Sequence, residues 1–542
     1  MLRAAAFPVV LCLAASLAEA APDPATLTPP VEPLVMAVEA PVADAPGDAL
    51  FPRSALLAPK VAFWTEAFSQ LSEFQSVIHS ERDVTRIYAV LDFRDDVARL
   101  GPAQARRLQR SAEKAVKREV DRHLRRAHAL RDKPEQLSAA ERKAYDLFAD
   151  GEDPLRYQRA VGTFRAQRGL KEKTERALKI SGQYLPKMEE IFTADGLPVA
   201  LTRLPLVESS FNVDAYSKVG AAGMWQFIPS SARLYMRLDE AVDERRDPWT
   251  STRAAARHLK EDYALLGDWP LAVTAYNHGR GGLAAGLRQV KGTTLEDLIE
   301  RWNGRRFGFA SRNFYAEFLA AVDVERDYRT HFGEIERHAP LDFDVVQIQH
   351  YVPYEVLRAC AGLSEQAFHT LNPGFHPEVL DGRLYVPPQT SIRVPVGAGE
   401  SFLQAYLALD EDQRFSQQRF YYVRYRVQRG DTLSTIARRY GVGLSKLREA
   451  NGLGSRSFIR AGRVLRIPPR HGGGRMVKVA ARQPETTDID GVTYLLHHVK
   501  PGQTLTAIAR QYRTTIGVLR QLNGLDPAGQ LLAGAVLKVP SR

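Results

Sequence analysis

At 542 residues the chain is too long for a single hydrophobic core, so three or more domains are expected. Its 44% hydrophobic and 25% charged content is ordinary for a soluble globular protein. The net charge of +11 is unevenly placed: residues 421–542 hold 21 Lys/Arg against 6 Asp/Glu, an excess of +15 that leaves the remainder at −4. A polyanion is the natural partner of that basic quarter. No RNA- or DNA-reading motif accompanies the charge, so the expectation turns from nucleic acid to cell wall.

In chain order, Met-Leu-Arg, an apolar stretch from Ala4 to Leu17 and Ala18-Glu19-Ala20 make the three parts of a cleavable secretory signal over 1–20, which predicts export to the periplasm or cell envelope. The apolar stretch is short for a membrane span. Leu11 stands before Cys12 where a lipid-attachment signal carries a small residue, so there is no clear lipobox. The mature chain then keeps one cysteine, Cys360, which has no internal disulfide partner and sits in an apolar run as a buried small residue. Residues 21–57, rich in Pro and Ala, read as a disordered tether. Residues 58–180 read as a helical support region, with Trp64, Phe68, Leu71 and Phe74 at helical spacing. The Arg/Lys-rich stretch from Ala103 to Arg131 reads as a solvated helix face.

Residues 181–330 are mostly helical by pattern and hold three blocks: Leu-Pro-Leu-Val-Glu-Ser-Ser-Phe (204–211), Gly-Ala-Ala-Gly-Met-Trp-Gln-Phe (220–227) and Ala-Tyr-Asn-His-Gly (275–279). Breaking a glycosidic bond requires a proton for the leaving oxygen, and a carboxylic acid supplies it near neutral pH when an apolar setting raises its pKa. Glu208, flanked by Val207 and Phe211 and followed by Met224 and Trp225, has the composition for that setting. In this order the three blocks resemble those of the lysozyme-like lytic transglycosylases that cleave bacterial peptidoglycan. The resemblance implies a lysozyme-like (α+β), mostly α catalytic domain in which one Glu, here Glu208, acts as acid and then base, producing 1,6-anhydro ends without water. It implies that Tyr276 hydrogen-bonds and orients the acid, that Ser217 polarises the substrate N-acetyl carbonyl, and that Met224, Gln226 and Asn277 line the sugar cleft. It gives Asp214, the acid nearest in sequence, no role. Asp247-Pro248-Trp249 reads as a turn and helix start, and Gly279-Arg-Gly-Gly282 as a turn. The histidines lack metal-ligand spacing and there is no Cys/His cluster, so no metal and no cofactor are expected.

An internal repeat supplies the second signal. Residues from Tyr425 to Pro468 align without a gap, at an offset of 72, with His497 to Pro540, pairing Gly430 with Gly502, Asn451 with Asn523 and Ala461-Gly462 with Ala533-Gly534. Each copy reads strand, turn, helix, helix, strand. The stripe Leu433, Ile436, Ala437, Tyr440 faces inward, and Asp431 or Thr432, or Gln503 or Thr504 in the second copy, is placed to cap the first helix. This βααβ pattern resembles the LysM module, whose families bind N-acetylglucosamine-containing glycans. The resemblance assigns glycan contact to Gly430, Asp431, Thr432, Leu433 and Asn451, and to Gly502, Gln503, Thr504, Leu505 and Asn523. The modules span 421–469 and 494–541, joined by a flexible linker over 470–493. Residues 338–398, with Leu371-Asn372-Pro373 and Tyr385-Val386-Pro387, echo the repeat as a degenerate copy.

The whole reads as a multidomain envelope enzyme whose partner is peptidoglycan, with modules that raise effective substrate concentration. Two other readings stay open: a hydrolytic muramidase on the same scaffold, and a non-catalytic wall-binding protein.

Overall fold

The computed structural model describes residues 48–149, 151–419, 423–454, 458–468, 485–489, 492–499, 504–512, 514–525 and 535–540. The expected signal, Cys12, most of the tether, Gly502 and Gln503 lie outside the described residues. Two compact units are present, one running to Leu409 without residues 350–352, the other comprising those three and the chain from Asp410. No helix among the described residues is long and apolar enough to cross a membrane.

The composition-based tether ends earlier than expected. Phe51 and Leu57 are buried, and Phe51 packs its ring 5.2 Å from that of Phe318 and 6.0 Å from that of Trp269. Arg53 donates to both carboxylate oxygens of Asp323. Two apolar anchors and one bidentate ion pair order 48–57 against the helix Phe309–Arg326, and local composition does not report such distant partners.

The support region is also less helical than its periodicity suggests. It holds a three-stranded antiparallel sheet in the order β2-β1-β3, from β1 (Gln75–Ser80), β2 (Ile87–Asp92) and β3 (Phe164–Arg168). The long helix Pro102–Ala129 covers it with Ala105, Ala112, Val116, Val120, Leu124 and Ala127, spaced three to four apart. Arg107, Arg110, Lys114, Arg118, Arg122 and Arg125 on the other side are exposed, as the charge pattern implies. Buried Glu113 accepts from Ser76 Oγ (2.8 Å) and from Arg168 (2.9 and 3.0 Å), which ties helix to sheet.

The region from Leu185 to Arg326 is helical, with only isolated β-bridges such as Ala222 to Phe227. Leu201, Leu204, Phe211, Trp225, Leu259 and Phe318 lie in its core. Asp247 caps the helix Pro248–Leu266 by accepting from the backbone N–H groups of Trp249 and Thr250. The degenerate copy has the expected βααβ order: β4 (Asp344–Gln347), helices Tyr354–Cys360 and Glu365–Leu371, and β5 (Ser391–Val394), with the strands antiparallel. Cys360 is only half-buried, not enclosed as its apolar neighbours suggest.

The two C-terminal copies repeat this plan. In the first, β6 (Val423–Arg426) pairs with β7 (Val464–Ile467) beside the helices Leu433–Tyr440 and Leu444–Ala450; Ile436, Leu447 and Leu465 are fully buried. Thr432 provides the helix cap, in a reciprocal pair with Thr435. In the second copy Thr504 Oγ1 accepts from the Ala507 N–H (3.2 Å). The segment between the copies is not wholly a linker: β8 (Glu485–Ile489) pairs antiparallel with β9 (Val492–His498), which also pairs with β10 (Val536–Pro540). The Thr-rich run Glu-Thr-Thr-Asp-Ile has strand propensity that its polarity hides.

Candidate active site

Glu208 ends the short helix Leu204–Glu208, which carries Pro205 in its first turn and is buried through Leu204, Pro205 and Leu206. The chain then turns sharply. Ser210 and Phe211 adopt φ of 58° and 59°, a left-handed conformation that costs a non-glycine residue roughly 1 kcal/mol or more. The turn is over-determined from below: Phe211 is 1% exposed, and Ser209 Oγ donates to the Met224 carbonyl at 2.8 Å. This geometry leaves the Glu208 carboxyl half-buried at a helix end.

No described residue hydrogen-bonds or ion-pairs with that carboxyl. Burial, and secondarily the charge of Glu317, pushes its pKa up to about 8. It is therefore a neutral acid at pH 7, which is what protonating a leaving oxygen requires.

The block 220–227 forms the opposite lip. Gly223, at φ 78°, is forced by sterics: a Cβ there would meet the Arg245 carbonyl oxygen at 1.7 Å. Gln226 also lies at positive φ (51°), and its Nε2 donates to the Gly223 carbonyl at 2.8 Å. Ser217 Oγ accepts from the Ala221 N–H at 2.9 Å, closing the preceding turn while the residue stays half-buried.

Two assignments change, those of Met224 and Tyr276. Met224 is fully buried in the core and has no face to offer a sugar; it supports the lip from beneath. The Tyr276 hydroxyl donates to the Trp225 carbonyl at 2.8 Å and not to Glu208, so it fixes the lip, though it is close enough for Glu208 to raise its pKa further after burial does so. Asn277 is exposed and its Oδ1 accepts from Ser311 Oγ at 3.0 Å, which binds it to the helix behind the site. Asp214 pairs with Arg246 at the surface.

Two features escape sequence reasoning. The first is a clamp: Arg245, 3% exposed, pairs with equally buried Asp243 and donates to the carbonyls of both Gly220 (2.6 Å) and Phe227 (3.1 Å), the two ends of the lip. The second is Glu317, half-buried on the helix Phe309–Arg326, which packs against Leu204–Glu208. It too lacks a hydrogen bond or ion pair among the described residues, and burial pushes it up to about 8, with Arg165 of β3 opposing. One turn earlier, Asn313 is 1% exposed with its Oδ1 unpartnered. Glu317 is the sole charged residue between Asn313 and Val322, a signal available in the sequence.

In the repeats, the side chains of Asn451 and Asn523 are occupied by structure. Asn451 Nδ2 donates to the Leu447 and Arg466 carbonyls (both 2.7 Å) while Oδ1 accepts from the Arg466 N–H (2.7 Å). Asn523 does the same with Leu519 and Lys538. Asn372 of the degenerate copy does the same with Phe368 and Arg393. These asparagines bolt the second helix to the closing strand. Asp431 accepts from Tyr425 OH (2.6 Å) and the Gln428 N–H (2.8 Å), and Leu433 is buried. Leu505 is half-buried, while Gly430, Thr432 and Thr504 present surface.

Family models agree with this division. One described as the transglycosylase SLT domain matches residues 193–299, and one described as the LysM domain matches 425–468 and 497–540. The chain thus carries a transglycosylase SLT domain and two LysM domains. It is similar to membrane-bound lytic murein transglycosylase D of Escherichia coli (strain K12), 29% identical over 350 residues that span 62% of this chain and 72% of that protein. It is also similar to the N-acetylmuramoyl-L-alanine amidase sle1 of Staphylococcus epidermidis, 35% identical over 116 residues, 21% of this chain and 33% of that one. Among solved structures, the spore cortex-lytic enzyme SleL of Bacillus cereus matches 22% of this chain and 23% of its own at 22% identity, with a TM-score of 0.09, a value at which the two do not superpose as wholes.

Proposed function

We propose that the chain cleaves the β-1,4 bond between N-acetylmuramic acid and N-acetylglucosamine in peptidoglycan, with Glu208 as the single acid and base, leaving 1,6-anhydro ends. The observation that carries this reading is a half-buried Glu208 with no hydrogen-bond or ion-pair partner among the described residues, whose pKa of about 8 keeps its proton available at pH 7. The neutral carboxyl protonates the glycosidic oxygen as its bond to C1 breaks. Positive charge developing at C1 is stabilised by the substrate's own N-acetyl oxygen, the substrate-assisted exception to the two-carboxylate scheme. The Glu208 carboxylate then accepts the proton of the C6 hydroxyl as O6 bonds to C1, which regenerates the acid and consumes no water. Ser217 and Gln226 flank the cleft as substrate contacts. The outer edge of the lip exposes Tyr216, Val219 and Ile228, apolar surface suited to the C–H faces of sugar rings. The LysM units hold the glycan through their Gly430–Thr432 and Thr504 turns, and the amino-terminal signal delivers the chain to the envelope.

Glu317 favours a second reading. Most glycosidases use two carboxylates, and a second one beside Glu208 has the character of a base for water. That reaction is the hydrolytic muramidase. Mass spectrometry of the products from purified sacculi separates the two: anhydro-muramyl products are lighter by one water than the reducing ends of hydrolysis, and the single-acid reading requires the former.

A further inference from the structure

A cavity of about 660 Å³ lies where the helix Pro248–Leu266 meets the β4–β5 sheet of the degenerate copy, and no residue of the Glu208 block lines it. That volume is in the range of small-ligand pockets. Its back wall is a buried weld: Arg393 of β5 pairs with Asp247, the cap of that helix. The equivalent residue of the first LysM unit, Arg466, is exposed, so the degenerate copy has turned an outward cation into an anchor.

The walls favour one ligand class. Phe343 has Trp249 on one side, with ring centroids 5.4 Å apart, and the Arg393 guanidinium 5.3 Å from its centroid. Trp249 and Phe375 are each 3% exposed. Trp249 and Phe375 offer no open face, and half-buried Phe343 is flanked by Trp249 and Arg393, so the walls present little aromatic surface for a neutral glycan to stack on. The acids Glu244, Asp342 and Asp344 on the walls disfavour a purely anionic polymer. At the mouth stand exposed Arg253 and exposed Asp342, neither with a hydrogen bond or ion pair among the described residues. Lys187 adds a second cation, held only by an exposed pair with Glu190.

We propose that this seam binds a short peptide bearing both a free carboxylate and a free amine, the kind that hangs from the peptidoglycan glycan, with its carboxylate on Arg253 and Lys187 and its amine on Asp342. The proposal rests on the peptidoglycan reading of the substrate and adds a peptide site separate from the cleavage cleft.

The test is calorimetric titration of the tripeptide L-alanyl-γ-D-glutamyl-meso-diaminopimelate into the full chain. Saturable binding is expected, weakened about tenfold by Arg253→Ala and by less in Asp342→Asn, because a charge-assisted contact is lost at an exposed position. Chitotetraose binding should be equal in wild type and Arg253→Ala. Absence of saturable tripeptide binding overturns the proposal, as does binding that neither variant alters. Chitotetraose binding that Arg253→Ala abolishes overturns it in favour of a glycan site. The tripeptide contains no glycosidic bond, so the two readings fail separately. Sacculus cleavage without tripeptide binding removes only the seam site. Absence of cleavage removes the active-site reading.

Discussion

Between Ser209 and Phe227 the backbone holds three non-glycine residues, Ser210, Phe211 and Gln226, at positive φ, whereas in the two LysM units every described residue at positive φ is a glycine. The polar groups differ in the same direction. Glu208 and Glu317 have no hydrogen-bond or ion-pair partner among the described residues, while Asp431, Asn451 and Asn523 have their oxygens and nitrogens engaged by neighbouring groups. The lip beside Glu208 is strained, whereas the LysM units hold their turns with glycine and engage these polar side chains. Strain and orphan carboxyls persist where the surroundings over-determine them, here through the Asp243–Arg245 clamp. The contrast shows which part of the molecule trades stability for chemistry.

The largest expected effect breaks the contrast at its centre. Glu208→Gln should lower sacculus solubilisation by about a thousandfold or more, since general acid and base steps are both removed, with circular dichroism unchanged. Its stability should rise with pH relative to wild type. The folded pKa of Glu208 is about 8, above its unfolded value, so the stability it contributes is complete below the unfolded value and is lost as pH rises through about 8. Thermal melts at pH 5 should therefore nearly coincide, and at pH 9 the variant should melt higher.

Next in size is Arg245→Met. It strands Asp243 in the interior and should cost about 3–5 kcal/mol in urea unfolding, with activity falling as the lip loosens. The contrast is sharpened by Glu317→Gln, which removes a like charge beside the acid. The alkaline limb of the pH–rate profile should move to lower pH by about one unit or less. An unmoved limb would mean that Glu317 does not act on Glu208. The titratable groups facing this pair are the neutral Tyr276 phenol from Trp269–His278 and the Arg165 guanidinium from β3. Smallest for catalysis is Asn451→Ala. It should destabilise the first LysM unit by about 1–3 kcal/mol through unpaired strand groups, seen as earlier hydrogen exchange at Arg466, while turnover of soluble glycan stays unchanged.

Much of this was legible in the sequence, for physical reasons that can be named. Glu208, Gly223, the Asp247 cap and the Thr432 cap depend on residues a few positions apart, and local spacing carries them. The LysM units were legible because two copies at one offset display the same inward stripe. The amino-terminal sheet was not, because β3 pairs with β1 across more than eighty residues and the intervening long helix dominates the periodicity. Met224, Tyr276 and the repeat asparagines were placed correctly in the chain and misread in role. Residue type alone does not distinguish a side chain turned to the ligand from one bonded to the backbone beneath it. The Arg245 clamp and the Glu317 coupling depend on tertiary neighbours and had no local pattern beyond one acid in an apolar helix.

The most direct test of the central claim, that Glu208 both gives and takes back the proton, is mass spectrometry of muropeptides released from purified sacculi by the wild type and by folded Glu208→Gln. Anhydro-muramyl products from the wild type and none from the variant are predicted. Anhydro products released by the variant at the wild-type rate would contradict it.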